Sequence, residues 1–476
     1  MTIMQLRTWL FVGANLLSAC GSDATDAKGP SGATDPTGMS GNTAGNGGAG
    51  SNSGEGGDPG RVSKYTYHQH IQPILEARCT ACHTKDGIGP LALGSYALAT
   101  KWASAAAAAV EARLMPPFPP DDSDCAEIED ARKMTDDERD MLIDWAKHGT
   151  PEGDPEAEPE LQIAVTKDKL GEPAHTYPGD APYDPDTSDS DDYRCFLVDP
   201  RLATPWTFLQ SLGIRTDNWA RIHHAIVYLV PPSLVTAAQA TDAAEPGPGW
   251  SCYFSPKVEG VIPAGGYAPG SVQKPYPNGT TIPIQEGTQF IVEIHMHDTY
   301  NEDPVSFSVA TWEFDHAVDQ YPGGLPMFNS NFVIPAGAAS VKAPMRGNFI
   351  PADQEPLQTS DPNAIHEAKE GLIWGADFHM HLRGKTARID LVHADGGREC
   401  LLHIPRWSDH WQGGYSFKKP IRAVAGDHVE ATCEWDNTAK NQPIVDGERL
   451  APTELRWGFK ALDEMCNSSL SLTLDP

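Results

Sequence analysis

The sequence predicts a multidomain chain, a small all-α domain followed by a longer all-β part of antiparallel sandwich type. Three observations predict it. Residues between Lys64 and Gly149 contain three short stretches with helical spacing of apolar residues. From about residue 190 the pattern changes to short alternating runs separated by glycine and proline clusters. A length of 476 residues is enough for two or three cores.

The elements follow in order. Arg7 is the only basic residue ahead of an apolar run from Trp9 to Leu17, which leads into Leu17-Ser18-Ala19-Cys20. That run is too short to span a bilayer and reads as a cleaved signal over residues 1–20, with the cysteine in the position that bacterial lipoproteins acylate. Residues 21–60 contain 13 glycines and no aromatic residue, so they cannot bury enough surface to fold. Such a tether would reach roughly 35 Å. The expected address is therefore the bacterial periplasm or cell surface, with membrane contact only through lipid on Cys20.

Structured sequence begins near Lys64, in a domain expected over residues 61–155. Ile71, Ile74, Leu75 and Arg78 have helical spacing and lead into Cys79-Thr80-Ala81-Cys82-His83. Two cysteines at this spacing followed by histidine read as a c-type haem attachment site, with thioethers at Cys79 and Cys82 and the iron bound by His83. A second helix near 97–113 is alanine-rich. A third starts at Thr135, with Glu138 in capping-box spacing, and stops at Gly149. Three short helices around one covalent haem c make a small cytochrome c domain. Its sixth ligand is expected to be Met115, presented by the proline-stiffened loop Leu114–Pro120, with Met134 as the rival.

Charge narrows the partners. Against 35 basic residues stand 65 acidic ones, a formal net charge of −30, which makes nucleic acid and anionic membrane surfaces poor partners. Residues 121–160 alone hold 16 acidic and 4 basic side chains. This run reads either as a solvated face or as a docking site.

In the β-rich part, Ala225–Val230, Phe290–Ile294 and Ala387–Val392 alternate as strands do, and histidines fall at strand ends. His223 and His224 open one strand, His295 and His297 close another, and His379 and His381 sit on a third. Histidines two apart on a strand share a face and can chelate one metal, or they can cap a strand end. Three paired occurrences favour metal. Imidazole suits zinc, copper or iron, and a methionine ligand selects reduced copper.

The order His223-His224, Val292-Glu293-Ile294-His295, Phe378-His379-Met380-His381-Leu382-Arg383-Gly384-Lys385, Thr432-Cys433-Glu434 and Asp463-Glu464-Met465-Cys466 resembles the copper type II, ascorbate-dependent monooxygenases. The likeness runs from about residue 190 to 470. It implies two consecutive antiparallel jelly-roll sandwiches, at 156–330 and 331–476, each holding one copper ion. His223, His224 and His295 would form an all-histidine site that passes an electron. His379, His381 and Met465 would hold the copper that meets O2 and substrate, with His297 a neighbour. The resemblance also implies the disulfides Cys195–Cys252 and Cys433–Cys466, leaving Cys125 and Cys400 either bridged or free.

Two departures matter. Where the peptide-hydroxylating branch has an arginine gripping a carboxylate this chain has Asp377, and Asn467-Ser468-Ser469 lacks the tyrosine of that branch's Asn-x-Tyr. A peptide carboxylate is thus not the expected substrate. Asp377 would favour an amine or hydroxyl-bearing small molecule, or simply be a solvated strand-end carboxylate. The second departure is the fused haem, which implies a protein or quinol-linked electron donor. The expected activity is hydroxylation of a C–H bond with O2. The competing expectations are an electron-transfer or copper-holding protein without oxygenase activity, a zinc hydrolase, and a haem sensor that regulates the copper domains.

Overall fold

The computed structural model describes residues 61–474 apart from short stretches, of which 164–169, 187–190, 269–272, 298–302 and 358–364 are the longest. The expected signal, Cys20 and the tether all lie outside the described residues. Among those described, no helix is long and apolar enough to cross a membrane.

Helices α1 (Gln72–Arg78), α2 (Tyr96–Glu111) and α3 (Asp136–Lys147) form where the spacing predicts. At α3 the Thr135 hydroxyl accepts from the Glu138 amide while the Glu138 carboxylate accepts from the Thr135 amide, completing the capping box. Gly149 (φ +93°) supplies the left-handed backbone just beyond the helix end. Ile71, Ile74, Leu75, Leu142 and Trp145 are its buried centre, and Met115 and Cys79 pack against its side. Leu161 and Ile163 pack there too, beyond the expected boundary at residue 155.

The first sandwich contains β1 (His175–Pro178), β2 (Asp191–Val198), β3 (Trp206–Thr216), β4 (Ile222–Val230), β5 (Trp250–Ser251), β6 (Ile262–Tyr267), β7 (Ile282–Gln285), β8 (Gln289–His297) and β9 (Phe307–Phe314). A sheet of order β1-β9-β3-β7 faces one of order β5-β2-β8-β4-β6. Leu209, Val227, Phe290, Val292 and Val309 interdigitate between them and are fully buried. Helix α4 (Val235–Ala243), which the periodicity does not reveal, follows β4 and has only Ala238 buried.

The second sandwich repeats the plan with β10 (Pro322–Phe328), β11 (Val333–Ile334), β12 (Val341–Ile350), β13 (His366–Lys369), β14 (Gly371–His379), β15 (Gly384–Val392), β16 (Arg398–Ile404), β17 (Tyr415–Ala423) and β18 (His428–Trp435). Three two-residue strands, β19 (Ile444–Val445), β20 (Glu448–Arg449) and β21 (Leu455–Arg456), precede β22 (Asn467–Leu474). The sheets have order β10-β22-β14-β17 and β13-β12-β18-β15-β16.

Two expectations shift here. Strand β10 pairs with β22 along its whole length, so the junction between the sandwiches falls before Pro322 rather than near residue 330. The β12–β13 pair is parallel, in a sheet expected to be antiparallel.

The acidic run is not simply solvated. The Asp121 and Ala126 amides donate to the His403 and Cys400 carbonyls of β16, and the Glu129 amide donates to Ser416 of β17. Ile128 bridges to Phe417, and its side chain is buried in the second sandwich's core. The disulfide Cys125–Cys400 fastens this segment, resolving the pairing that the sequence leaves open. Both β16 and β17 are edge strands, so the segment covers two exposed ladders at once.

Candidate metal centres

His223 and His224 are adjacent, and on a regular strand they would point to opposite faces. A register shift between Ile222 and His224 in the β4–β8 ladder breaks the alternation. His223 Nδ1 then lies 3.3 Å from His224 Nδ1, and His295 Nδ1 lies 3.4 Å from the same atom. His224 and His295 are buried and His223 is half-buried. Metal–nitrogen bonds of about 2.0–2.1 Å place two ligand nitrogens about 3.3–3.6 Å apart at tetrahedral to trigonal angles. The three nitrogens therefore fit one metal ion.

Two further residues support this cluster, and the sequence assigns them no role. Tyr193 of β2 stacks on His295, with centroids 4.0 Å apart and planes 8° from parallel. Its register partner is His295 itself, so the contact follows from strand pairing. Buried Glu293 lies two residues earlier on β8 and accepts a hydrogen bond of 2.9 Å from the Tyr228 hydroxyl. Cys195–Cys252 forms as the resemblance implies, tying β2 to the segment after β5. Those sulfurs and Glu293 are close together, but the disulfide removes them as a ligand set. The side chain of His297 lies outside the described residues.

The second centre lies at the end of β14. A bulge between Ile373 and Gly375 resets the alternation, so that Ala376, Phe378 and Met380 enter the core while Asp377, His379 and His381 share the outer face. His379 closes the strand and His381 lies just beyond it. Their rings are 5.1 Å apart at 84°. His379 pairs with Asn467 in the ladder, and continuing that register by two residues sets Met465 opposite His381. Met465 is fully buried, with its sulfur 3.7 Å from Asn467 Nδ2. Two imidazoles and one thioether on a common face suit a soft, reducible metal.

Backbone and carboxylate contacts hold this set in place. His381 Nδ1 lies 3.1 Å from the Asp463 carbonyl, which can only accept, so Nδ1 carries the proton and Nε2 is left as the donor to metal. Glu464 is completely buried and accepts from the amides of His381 (3.0 Å) and Arg383 (2.7 Å) and from Trp435 Nε1 (2.8 Å). Burial pushes its carboxyl up to about 7 against the pull of those donors. Cys433–Cys466 closes beside Met465.

Asp377 is not solvated. It is 5% exposed and accepts from the Ser469 hydroxyl (2.9 Å) and amide (3.2 Å), with burial pushing its carboxyl up to about 8. Asn467 is also buried, and its Oδ1 has no hydrogen-bond partner among the described residues.

In the helical module, Cys79 is the C-cap that follows α1, and the His83 amide donates to the Cys79 carbonyl at 2.9 Å. Cys79 and Cys82 are both half-buried, and burial pushes the Cys79 thiol up to about 12. His83 Nδ1 is 2.9 Å from the Leu91 carbonyl, again leaving Nε2 as a ligand atom. Any Cβ at Gly89 would lie 2.5 Å from the His83 ring, so this close approach requires glycine. Met115 lies at the edge of the helical core and Met134 is buried within it.

Two histidine-bearing sandwiches with disulfide-braced strands offer two candidate metal centres. Residues 341–471, from β12 into β22, match the family described as copper type II ascorbate-dependent monooxygenase, C-terminal domain. The match supports that family, whose members are copper-binding oxidoreductases, for the second sandwich. No curated protein matches the chain. Among solved structures, one titled "Structure of allantoicase" is 9% identical over 56% of this chain and 78% of its own, with a TM-score of 0.13. A likeness that weak carries no argument.

Proposed function

We propose that this protein hydroxylates a C–H bond of a small organic substrate with O2, using two copper ions and electrons delivered through a covalently attached haem c. The observation that supports the reading is the β14–β22 register, which ends at the His379–Asn467 pair and, continued by two residues, would bring Met465 opposite His381 within the stretch matched by the copper monooxygenase domain. His379, His381 and Met465 would hold one copper, and His223, His224 and His295 the other. When bound, copper supplies one-electron redox chemistry and a binding position for O2.

The chain's own residues would orient those ligands. The Asp463 carbonyl fixes the tautomer of His381, and Glu464 pins the turn that carries it. Asn467 Oδ1 offers an acceptor beside Met465, and the Asp377 carboxyl a second acceptor on the same face. These suit a substrate that donates a hydrogen bond through a hydroxyl or amine, and they disfavour a carboxylate. Haem on Cys79 and Cys82, bound by His83 and Met115, would be reduced by a protein or quinol-linked donor. Export and a lipid anchor on Cys20 complete the reading.

The test is incubation of copper-loaded protein with a reductant and isotope-labelled O2 in an extract of the native host. One labelled oxygen in an organic product is expected, and it should be lost in Met465→Ala. Full copper loading with no labelled product would instead indicate an electron-transfer or copper-holding protein.

A further inference from the structure

The loop between β21 and β22 supplies the second centre with the Asp463 carbonyl, Glu464 and Met465. Its Asp463 amide donates to the Lys460 carbonyl at 2.8 Å, so the end of the loop is a tight turn. Facing it is the short connection from β14 to β15, which carries His381 and Arg383. Trp407 braces that connection by donating from Nε1 to the His381 carbonyl at 3.0 Å.

The Arg383 side chain crosses from the connection to the loop. Its Nη1 donates to the Leu462 carbonyl at 3.0 Å, one residue before the Asp463 carbonyl that meets His381 Nδ1. Its Nε and Nη2 both donate to Gln442 Oε1, at 3.4 and 3.3 Å. Gln442 Nε2 donates in turn to Asn437 Oδ1 at 2.8 Å. Asn437 Nδ2 donates to the Thr453 carbonyl at 2.7 Å and the Pro335 carbonyl at 3.0 Å. Arg383, Gln442 and Asn437 are each at most 3% exposed, a rare depth for an arginine. Burial pulls its guanidinium below the usual arginine range, against the opposing charges of Glu464 and Asp463.

We propose that Arg383 is a positioning residue of the second centre, fixing the Leu462–Asp463 turn against the β14–β15 connection so that His381 presents Nε2 to a metal. This rests on the reading of His379, His381 and Met465 as a ligand set. A planar guanidinium holds acceptors on two different loops in fixed geometry, which neither a flexible ammonium nor an apolar side chain does. Without it the Leu462 carbonyl and the Gln442 side chain lose their donors in a dry interior, and the turn shifts to find others. A contact of 3.1 Å has little reach to spare, so that shift frees His381 Nδ1 and lets the ring take either tautomer. Gln442 and Asn437 extend the brace to the segments after β11, β18 and β20, and a buried network of this kind is costly to leave half-satisfied.

The experiment uses the full chain with isotope-labelled histidine, first free of metal, and reads the ring nitrogens of His381 by nuclear magnetic resonance. A His381→Gln variant identifies the signals. Wild type should show one tautomer, protonated on Nδ1, and Arg383→Met should show both. Titration with cuprous ion should then find binding beside Met465 weakened about 10–100-fold in Arg383→Met. The three-histidine cluster lies in the other sandwich, and its affinity should not change. Arg383→Lys keeps a cation but lacks the planar fork, and should fall between; it decides the question alone if the methionine variant does not fold. A wild-type His381 spectrum in the folded variants, or equal loss of metal at both centres, would overturn the proposal. If wild type binds no metal beside Met465, the ligand reading fails and the metal role of Arg383 with it. The tautomer comparison, made without metal, still decides whether Arg383 sets the turn.

Discussion

Histidine 295 owes its position to a tyrosine that no motif announces. Tyr193 lies flat against its ring at 4.0 Å, filling the space on one side of the three-histidine cluster. Stacked aromatic pairs contribute about 0.5–1.5 kcal/mol beyond the area they bury. Tyr193→Phe should therefore leave metal affinity at this site nearly unchanged, while Tyr193→Ala should weaken it several-fold by metal titration. Equal losses in both variants would assign the role to the hydroxyl instead. Glu464 does comparable work at the other centre. Glu464→Ala would strand two backbone amides and the Trp435 indole in a dry interior, at a cost of about 1–3 kcal/mol for each unmet group. A large drop in the urea midpoint of unfolding is the expected result, along with loss of metal at His379 and His381.

Strands decide which side chains meet. The bulge in β4 brings two adjacent histidines to one metal, and the bulge in β14 turns Asp377, His379 and His381 away from the core. The segment at 121–129 acts as an added strand, although it lies between helices α2 and α3 in the chain. Ile128 is 4% exposed within the core of the second sandwich. Ile128→Ala should cost about 2–4 kcal/mol by the usual penalty for emptying a core site. Denaturant unfolding followed by the tryptophans of that sandwich should register it, and an unchanged midpoint would show that the segment adds nothing to the fold.

Across the molecule, the helical module and the second sandwich are joined by a disulfide that spans 275 residues of sequence. The first sandwich touches the same segment, where Lys274 lies 3.9 Å from Glu129. Such a partly exposed ion pair adds little energy, so the covalent link and the strand pairing carry the attachment. A Cys125→Ser, Cys400→Ser double variant should unfold at a lower temperature and show faster proteolysis around residues 116–130. Copper should raise the melting temperature of the wild-type protein, because a ligand that binds only the folded state stabilises it by mass action.

Much of the plan was legible in residue order. Helices α1 to α3 announce themselves through spacing, the Thr135–Glu138 box and Gly149, because those signals act within a few residues. Histidine pairs at strand ends are equally local, and the resemblance placed them in order. Tyr193, Glu464 and Trp407 were not legible, since each earns its place through a partner on another strand or loop. Asp377 was ambiguous for the same reason: a carboxylate at a strand end looks solvated until Ser469 of the neighbouring strand covers it.

Sequence alone determined the residue types that could bind metal or haem, the helical and β-rich halves, and the cysteines able to pair in an oxidising compartment. Only the tertiary structure decided which of them converge. Periodicity assigns a residue to a face, but a single bulge reverses that face, and strand register is a contact between distant segments. The same holds for the acidic run after Met115. Its composition reads as a solvated surface, yet two open sheet edges and one cysteine make it the seam between the helical module and the second sandwich.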